Sequence, residues 1–208
     1  MKIVLAATES RLADAWEKAF VEVADVSVHR GSIFDVVCDA VVSPANSFGF
    51  MDGGIDALYL DRFGVEVQTR LRRLILDRHH GELLVGGAEV VETGDPARPF
   101  LIAAPTMRVP MVLGAETINP YLATRAVLLL AKHGTFPNGE RLADRLRTIA
   151  FPGMGTGVGR VPADACARQM RAAVEDILLG GYRMPKSWAE ASERHQLLYT
   201  DSPTRLQY

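Results

Sequence analysis

Two stretches of this 208-residue chain carry the residue types that chemistry uses. The first, "SPANSFGFMDGGID", spends Asn46, Asp52, the pair Gly53-Gly54 and Asp56 on the passage from an apolar run into a helix-like one. The second, "GMGTGVGR", places Gly153, Gly155, Gly157 and Gly159 at alternate positions between the apolar "TIAFP" and a helix led by Pro162. Where a strand hands over to a helix, backbone N–H groups and the positive end of the helix dipole face outward and suit a phosphate. Glycine lets the backbone approach closely and adopt positive φ. Two such loops at the carboxyl ends of neighbouring strands form a crevice in which a diphosphate fits.

Neither stretch is a nucleotide-binding fingerprint. A Walker A loop needs Gly-Lys followed by Ser or Thr, and the alternating glycines do not give Gly-x-Gly-x-x-Gly. A flexible connection is the other reading of the second loop. Asn and Asp are also favoured in turns and at helix N-termini without any ligand.

The elements that must position these loops follow from periodicity. "KIVLAA", "VSVH", "DAVVS", "AEVVET", "PFLIAAP" and "TIAFP" read as strands. "RLADAWEKAF", "IDALYLDRF", "VEVQTRLRRLILDRHH", "INPYLATRAVLLLAKHG", "ERLADRLR" and "PADACARQMRAAVEDILLGG" read as helices. Such interleaving predicts an α/β domain, with helices on both faces of a largely parallel or mixed sheet. That domain is expected over residues 1–181. Residues 182–208, with a helix-like middle between two prolines and a polar end, are expected to form a C-terminal extension.

The composition, 48% hydrophobic and 23% charged, is that of a folded protein. A net charge of −2 gives no general attraction for phosphate backbones or anionic membranes, so no dedicated nucleic-acid binding is expected. The arginines of "TRLRRLILDRHH" read as a solvated helix face. Cys38 and Cys166 form no Cys-x-x-Cys and read as buried small hydrophobes, and His79-His80 diverge too far to share a metal. The apolar start is too short for a signal peptide and no run is long enough for a membrane span, which together predict a cytoplasmic protein. Nothing calls for a metal or cofactor, and the oligomeric state is left open.

At this point the residues resemble a known family. "VVSPANSFGFMDGGIDALYLDRFG" resembles the first binding loop of macrodomains, the ADP-ribose-binding modules, whose pattern runs Val-Asn-Ala-Ala-Asn, a variable piece, a glycine run, then Val-Asp and a helix. The second Asn of that pattern falls on Asn46 and its Asp on Asp56. "VHRGSIFDVVCDAVV" resembles the family's Gly-Asp-Ile segment, and "TIAFPGMGTGVGRVPADACARQM" its second loop. The resemblance covers about residues 25 to 180.

It implies a three-layer α/β/α sandwich around a central mixed sheet, with ADP-ribose across the carboxyl edge. Gly53, Gly54 and Ile55 would border the diphosphate on one side, with Ala45 nearby. Gly153, Gly155, Thr156, Gly157, Val158 and Gly159 would hold it on the other. Ser32 and Ile33 would lie at the adenine. Asn46 would bond the distal ribose and Asp56 would position or activate water at the anomeric carbon. The implied function is removal of ADP-ribose from acidic side chains or deacylation of acyl-ADP-ribose, with ADP-ribose or ADP-ribosylated protein as partner. A non-catalytic reader of ADP-ribose or a related nucleotide is the alternative. Asn46 and Asp56 favour the enzyme, whereas Ser32 and Gly159 favour the reader.

The sequence departs from the family at three places. Ser32 replaces the Asp that accepts from the adenine amino group. Ser43-Pro44 replaces the first Asn-Ala, and Gly159-Arg160 replaces an aromatic-Gly pair beside the distal ribose. Phe48, Phe50 and Met51 are candidates to replace the ring, with two of the three expected to pack instead. Asp52 is expected to turn outward from a diphosphate, which it would otherwise repel.

Overall fold

The structure, a computed structural model, describes residues 1–204; residues 205–208, the end of the expected C-terminal extension, lie outside the described residues. Six strands form one sheet: β1 (Lys2–Ala7), β2 (Val26–Arg30), β3 (Ala40–Ser43), β4 (Glu89–Glu92), β5 (Phe100–Ala103) and β6 (Thr148–Phe151), in the order β2-β1-β6-β3-β5-β4. All neighbours pair parallel except β4 with β5. The sheet is therefore mixed, as the pattern predicts.

Strand composition follows position. The interior strands β3 ("AVVS") and β5 ("FLIA") are buried at every residue and read as unbroken apolar runs, apart from the terminal Ser43. Such runs are the mark of strands covered on both faces. Edge strand β4 ("EVVE") alternates instead.

Helices cover both faces. α1 (Ser10–Ala19), α4 (Asn119–His133) and α6 (Ala163–Ile177) enclose a core containing Trp16, Leu128, Phe151 and Met170. α2 (Gly54–Phe63) and α3 (Val65–His79) enclose a second core with Met51, Tyr59, Leu71 and Ile75. Alternate residues of β3 serve the two sides, Ala40 and Val42 the first and Val41 the second. This is the three-layer α/β/α architecture.

One helix is shorter than "ERLADRLR" suggests: α5 spans only Leu142–Arg145. A turn through Pro137-Asn138-Gly139 claims the preceding residues, with Phe136 N–H donating to Glu140 O at 2.8 Å, so Glu140 cannot be helical. Beyond α6, α7 (Trp188–Gln196) starts at Ser187, whose hydroxyl accepts from Glu190 N–H. An Arg168–Asp201 ion pair at 2.9 Å joins this segment to α6. No helix among the described residues is long and apolar enough to cross a membrane.

The topology settles where chemistry can occur. Five parallel strands end at one edge, so the loops after β1, β2, β3, β5 and β6 gather there.

Candidate functional site

At that edge lies a cleft of about 410 Å³, within the range of small-ligand sites. The strand order gives it an axis. Ser32 and Phe34, after β2, stand at one end, and Met107 and Pro110, after β5, at the other. Between them lie the loops after β3 and β6.

The loop after β3 is built to hold its shape. Asn46 Oδ1 accepts from the N–H groups of Phe48 (3.1 Å) and Phe50 (3.3 Å), and Asn46 Nδ2 donates to Phe50 O at 2.7 Å. Asn46 thus staples a tight turn while lining the cleft, and one Nδ2–H remains uncommitted. Met51 N–H donates to Gln68 Oε1 of α3 at 2.7 Å, and the Met51 side chain is fully buried. Thr106 continues the β3–β5 pairing beyond the strands, bonding Ala45 O and Pro44 O. Of the three candidate replacements for the missing ring, Met51 and half-buried Phe48 pack. Phe50 is exposed at the cleft rim with the Arg72 guanidinium 4.0 Å over its ring.

The loop delivers the chain to α2. Gly53 and Gly54 have nothing within 4 Å of where a Cβ would sit, so that side of the cleft is open. Helix α2 starts there, leaving its first N–H groups without intrahelical partners. Asp56, in the first turn of α2, is 7% exposed and lines the cleft. Ser43 Oγ–H donates to its Oδ1 at 2.5 Å. Burial pushes the Asp56 carboxyl from its ordinary 3.8 up to about 6, while the Ser43 hydrogen bond pulls it down. A helix N-terminus favours the anion by about 0.3–1 kcal/mol. A rise of about two units corresponds to roughly 3 kcal/mol, so desolvation dominates.

The loop after β6 is the opposite wall. Gly155 takes φ +73°, and its carbonyl accepts from Val161 N–H at 3.0 Å. A Cβ on Gly153 would strike Thr156 Oγ1 and Leu12, so glycine is needed there for close packing. Gly157 faces open space. Among the described residues, the backbone N–H groups of Gly155, Thr156, Gly157, Val158 and Gly159 have no acceptor within the protein. Five consecutive uncommitted donors along one cleft wall are the kind of groups from which anion-binding concavities are built.

Electrostatically the cleft depends on its backbone. Glu9, Asp52 and Asp56 line it, and no lysine, arginine or histidine among the described residues does. Asp52 is exposed at the rim, whereas Arg160 is exposed outside the cleft, at φ +54°. An anionic ligand must therefore be held by N–H groups and the α2 dipole.

Asn46, Asp56 and all twelve residues expected to contact ligand line this one cleft. Ser32 Oγ accepts from Phe34 N–H at 3.2 Å and caps a single 3-10 turn, Ile33–Asp35, at the β2 end. Sequence reasoning missed the β1–α1 junction (Ala7, Thr8, Glu9) and the β5 end (Thr106, Met107, Pro110). Both follow strands that were recognised, and a parallel sheet brings their ends to the same edge.

The same fold is found among known proteins. The macro domain family model matches residues 42–170. A protein of Aquifex aeolicus without assigned function is 37% identical over 153 residues, covering 74% of this chain and 81% of that protein. A macro domain-containing protein of Streptomyces coelicolor is 31% identical, covering 69% and 78%. Among solved structures, the Oceanobacillus iheyensis macrodomain with ADP superposes with a TM-score of 0.58 at 19% identity, over 72% of this chain and 74% of that one. The macrodomain of Mycobacterium tuberculosis DarG gives 0.56 at 18%, over 70% and 87%.

Proposed function

Since the chain belongs to the macro domain family, we propose that its cleft binds ADP-ribose or a derivative and that the protein hydrolyses a bond at the distal ribose. The reaction is release of ADP-ribose from an acidic side chain or deacylation of an acylated ADP-ribose. The observation that carries this reading is Asp56, a buried carboxyl at the cleft floor, between two walls of uncommitted backbone N–H groups.

The diphosphate lies across the N–H groups of Gly155 to Gly159 and the start of α2, with the base toward Ser32 and Ile33 and the distal ribose toward Asp56. An O. iheyensis macrodomain mutant solved with ADPR supports this choice of ligand by fold. Asn46 keeps the loop closed and offers its remaining Nδ2–H to a ribose hydroxyl.

Asp56 acts on water as a general base. The water oxygen bonds to the anomeric carbon, and the carbon–oxygen bond to the acyl group breaks with its electron pair leaving on the carboxylate. The water proton passes to Asp56. In deacylation the same base directs water to the ester carbonyl. A base titrating near 6 is poised for work around neutral pH. At the β5 end Met107 and Pro110 give the cleft an apolar lining, which suits an uncharged ester.

The test is hydrolysis of acyl-ADP-ribose and of carboxyl-linked ADP-ribosylated protein by wild type and Asp56→Asn. Wild type turns over at least one substrate; the variant loses about 100-fold or more in kcat and still binds ADP-ribose. Binding with no turnover by wild type on either substrate makes the protein a reader.

A further inference from the structure

Ser43 closes β3, is completely buried, and places its Oγ 2.5 Å from Asp56 Oδ1. Backbone pairing fixes it there, since its carbonyl accepts from Ala104 N–H at 2.9 Å and β3 runs in register with β5. A donor mounted on a central strand has little freedom to move away.

We propose that Ser43 is a positioning residue for Asp56, holding one carboxyl oxygen so that the other is presented to the cleft as an anion. This rests on the reading of Asp56 as the water-handling base. Among the described residues Ser43 is the one hydrogen-bond partner of the carboxyl group, which leaves Oδ2 for water or ligand.

The other groups around Asp56 do not substitute for it. Tyr59, one turn along α2, donates its hydroxyl to Val42 O at 3.0 Å and is fully buried. Cys38, in the same core as Tyr59, is a buried thiol that burial pushes up to about 11. Asp52, in the preceding loop, is exposed at the rim and carries the wrong sign. β6 ("TIAF") and the glycine loop after it bring no titratable group before Arg160, which stands outside the cleft. The Ser43 hydroxyl is thus the side chain that favours the charged form against burial.

The experiment is a carboxyl carbon NMR titration of the ligand-free full chain, with the Asp56 signal assigned by its loss in Asp56→Asn. Wild type, Ser43→Ala and Ser43→Cys are compared; cysteine fills the site with a weaker donor and covers the case in which the alanine variant does not fold. The Asp56 midpoint rises by about one pH unit or more in Ser43→Ala and by less in Ser43→Cys. The acidic limb of the pH–rate profile moves up in step, with KM unchanged. Unchanged midpoints in the variants that fold, or a rate lowered equally at all pH values, overturn the proposal. Because the titration needs no turnover, it decides the role of Ser43 toward the carboxyl group even if the protein proves not to be a hydrolase.

Discussion

The backbone N–H of Leu113 donates to the carbonyl of Gly159 at 2.9 Å, which laces the long segment after β5 to the glycine loop after β6. The two segments then approach so closely that a Cβ on Gly159 would lie 2.5 Å from Gly155 O and 3.1 Å from both Leu113 and Met107. The aromatic residue that the family resemblance leads one to expect near here has no room. Gly159→Ala is predicted to destabilise the fold by roughly 1–3 kcal/mol, because a backbone carbonyl must shift. Thermal or denaturant unfolding checks this.

Gly157 is the control in the same loop. A Cβ there meets nothing within 4 Å, and the residue is not at positive φ. Gly157→Ala should leave stability within about 0.5 kcal/mol of wild type. The methyl group instead enters the space assigned to the diphosphate, so ADP-ribose affinity should fall about tenfold, a loss of roughly 1.4 kcal/mol. Unfolding and calorimetric titration on one preparation separate the two effects.

Arg98 supports the β2 end of the cleft from behind. Its buried guanidinium donates to Phe34 O and to Val36 O, the latter at 3.1 Å, and lies 3.9 Å from Asp95. Phe34 lies in the 3-10 turn that carries Ile33, and Val36 is the residue that closes it. Arg98→Met leaves both carbonyls without their donor, at a cost of about 1–3 kcal/mol for each group left unsatisfied. Lysine lacks the planar fork and should recover only part of this. ADP-ribose affinity should fall with stability, as measured on folded protein below the unfolding transition.

Much of this was legible in the sequence, because parallel-sheet strands and amphipathic helices announce themselves by period. The two loops stand out because glycine and Asx residues cluster where a strand hands over to a helix, although turn chemistry alone also favours those residue types there. What stayed hidden depends on three-dimensional partners. Asn46 is a turn staple as well as a cleft residue because of bonds to Phe48 and Phe50, which residue type alone does not reveal. Ser43 read only as a departure from a pattern, and its meaning lies in a contact thirteen residues away. The segment between β5 and α4 has neither period, yet it forms one end of the cleft through Met107 and Pro110.

Asp56 links the site to stability. Its carboxyl is raised from 3.8 to about 6, so between these values the folded protein binds more protons than the unfolded chain. Stability therefore falls as pH rises through this window, by about 3 kcal/mol in total. Asp56→Asn removes that slope. The variant should gain in melting temperature over wild type at pH 7.5 and show a much smaller difference at pH 4. Parallel melting-temperature curves for the two proteins across this range would contradict it.

The most direct measurement is calorimetric titration of the full chain with ADP-ribose and, separately, with ADP. In the proposed complex the diphosphate lies on the glycine loops and the distal ribose against Asp56 and Asn46. ADP-ribose should therefore bind with micromolar affinity, with ADP about tenfold or more weaker for lack of that ribose. Equal affinity for the two ligands would contradict the placement of the distal ribose. Absence of binding heat for both, with no displacement in competition, would contradict the assignment of the cleft to ADP-ribose.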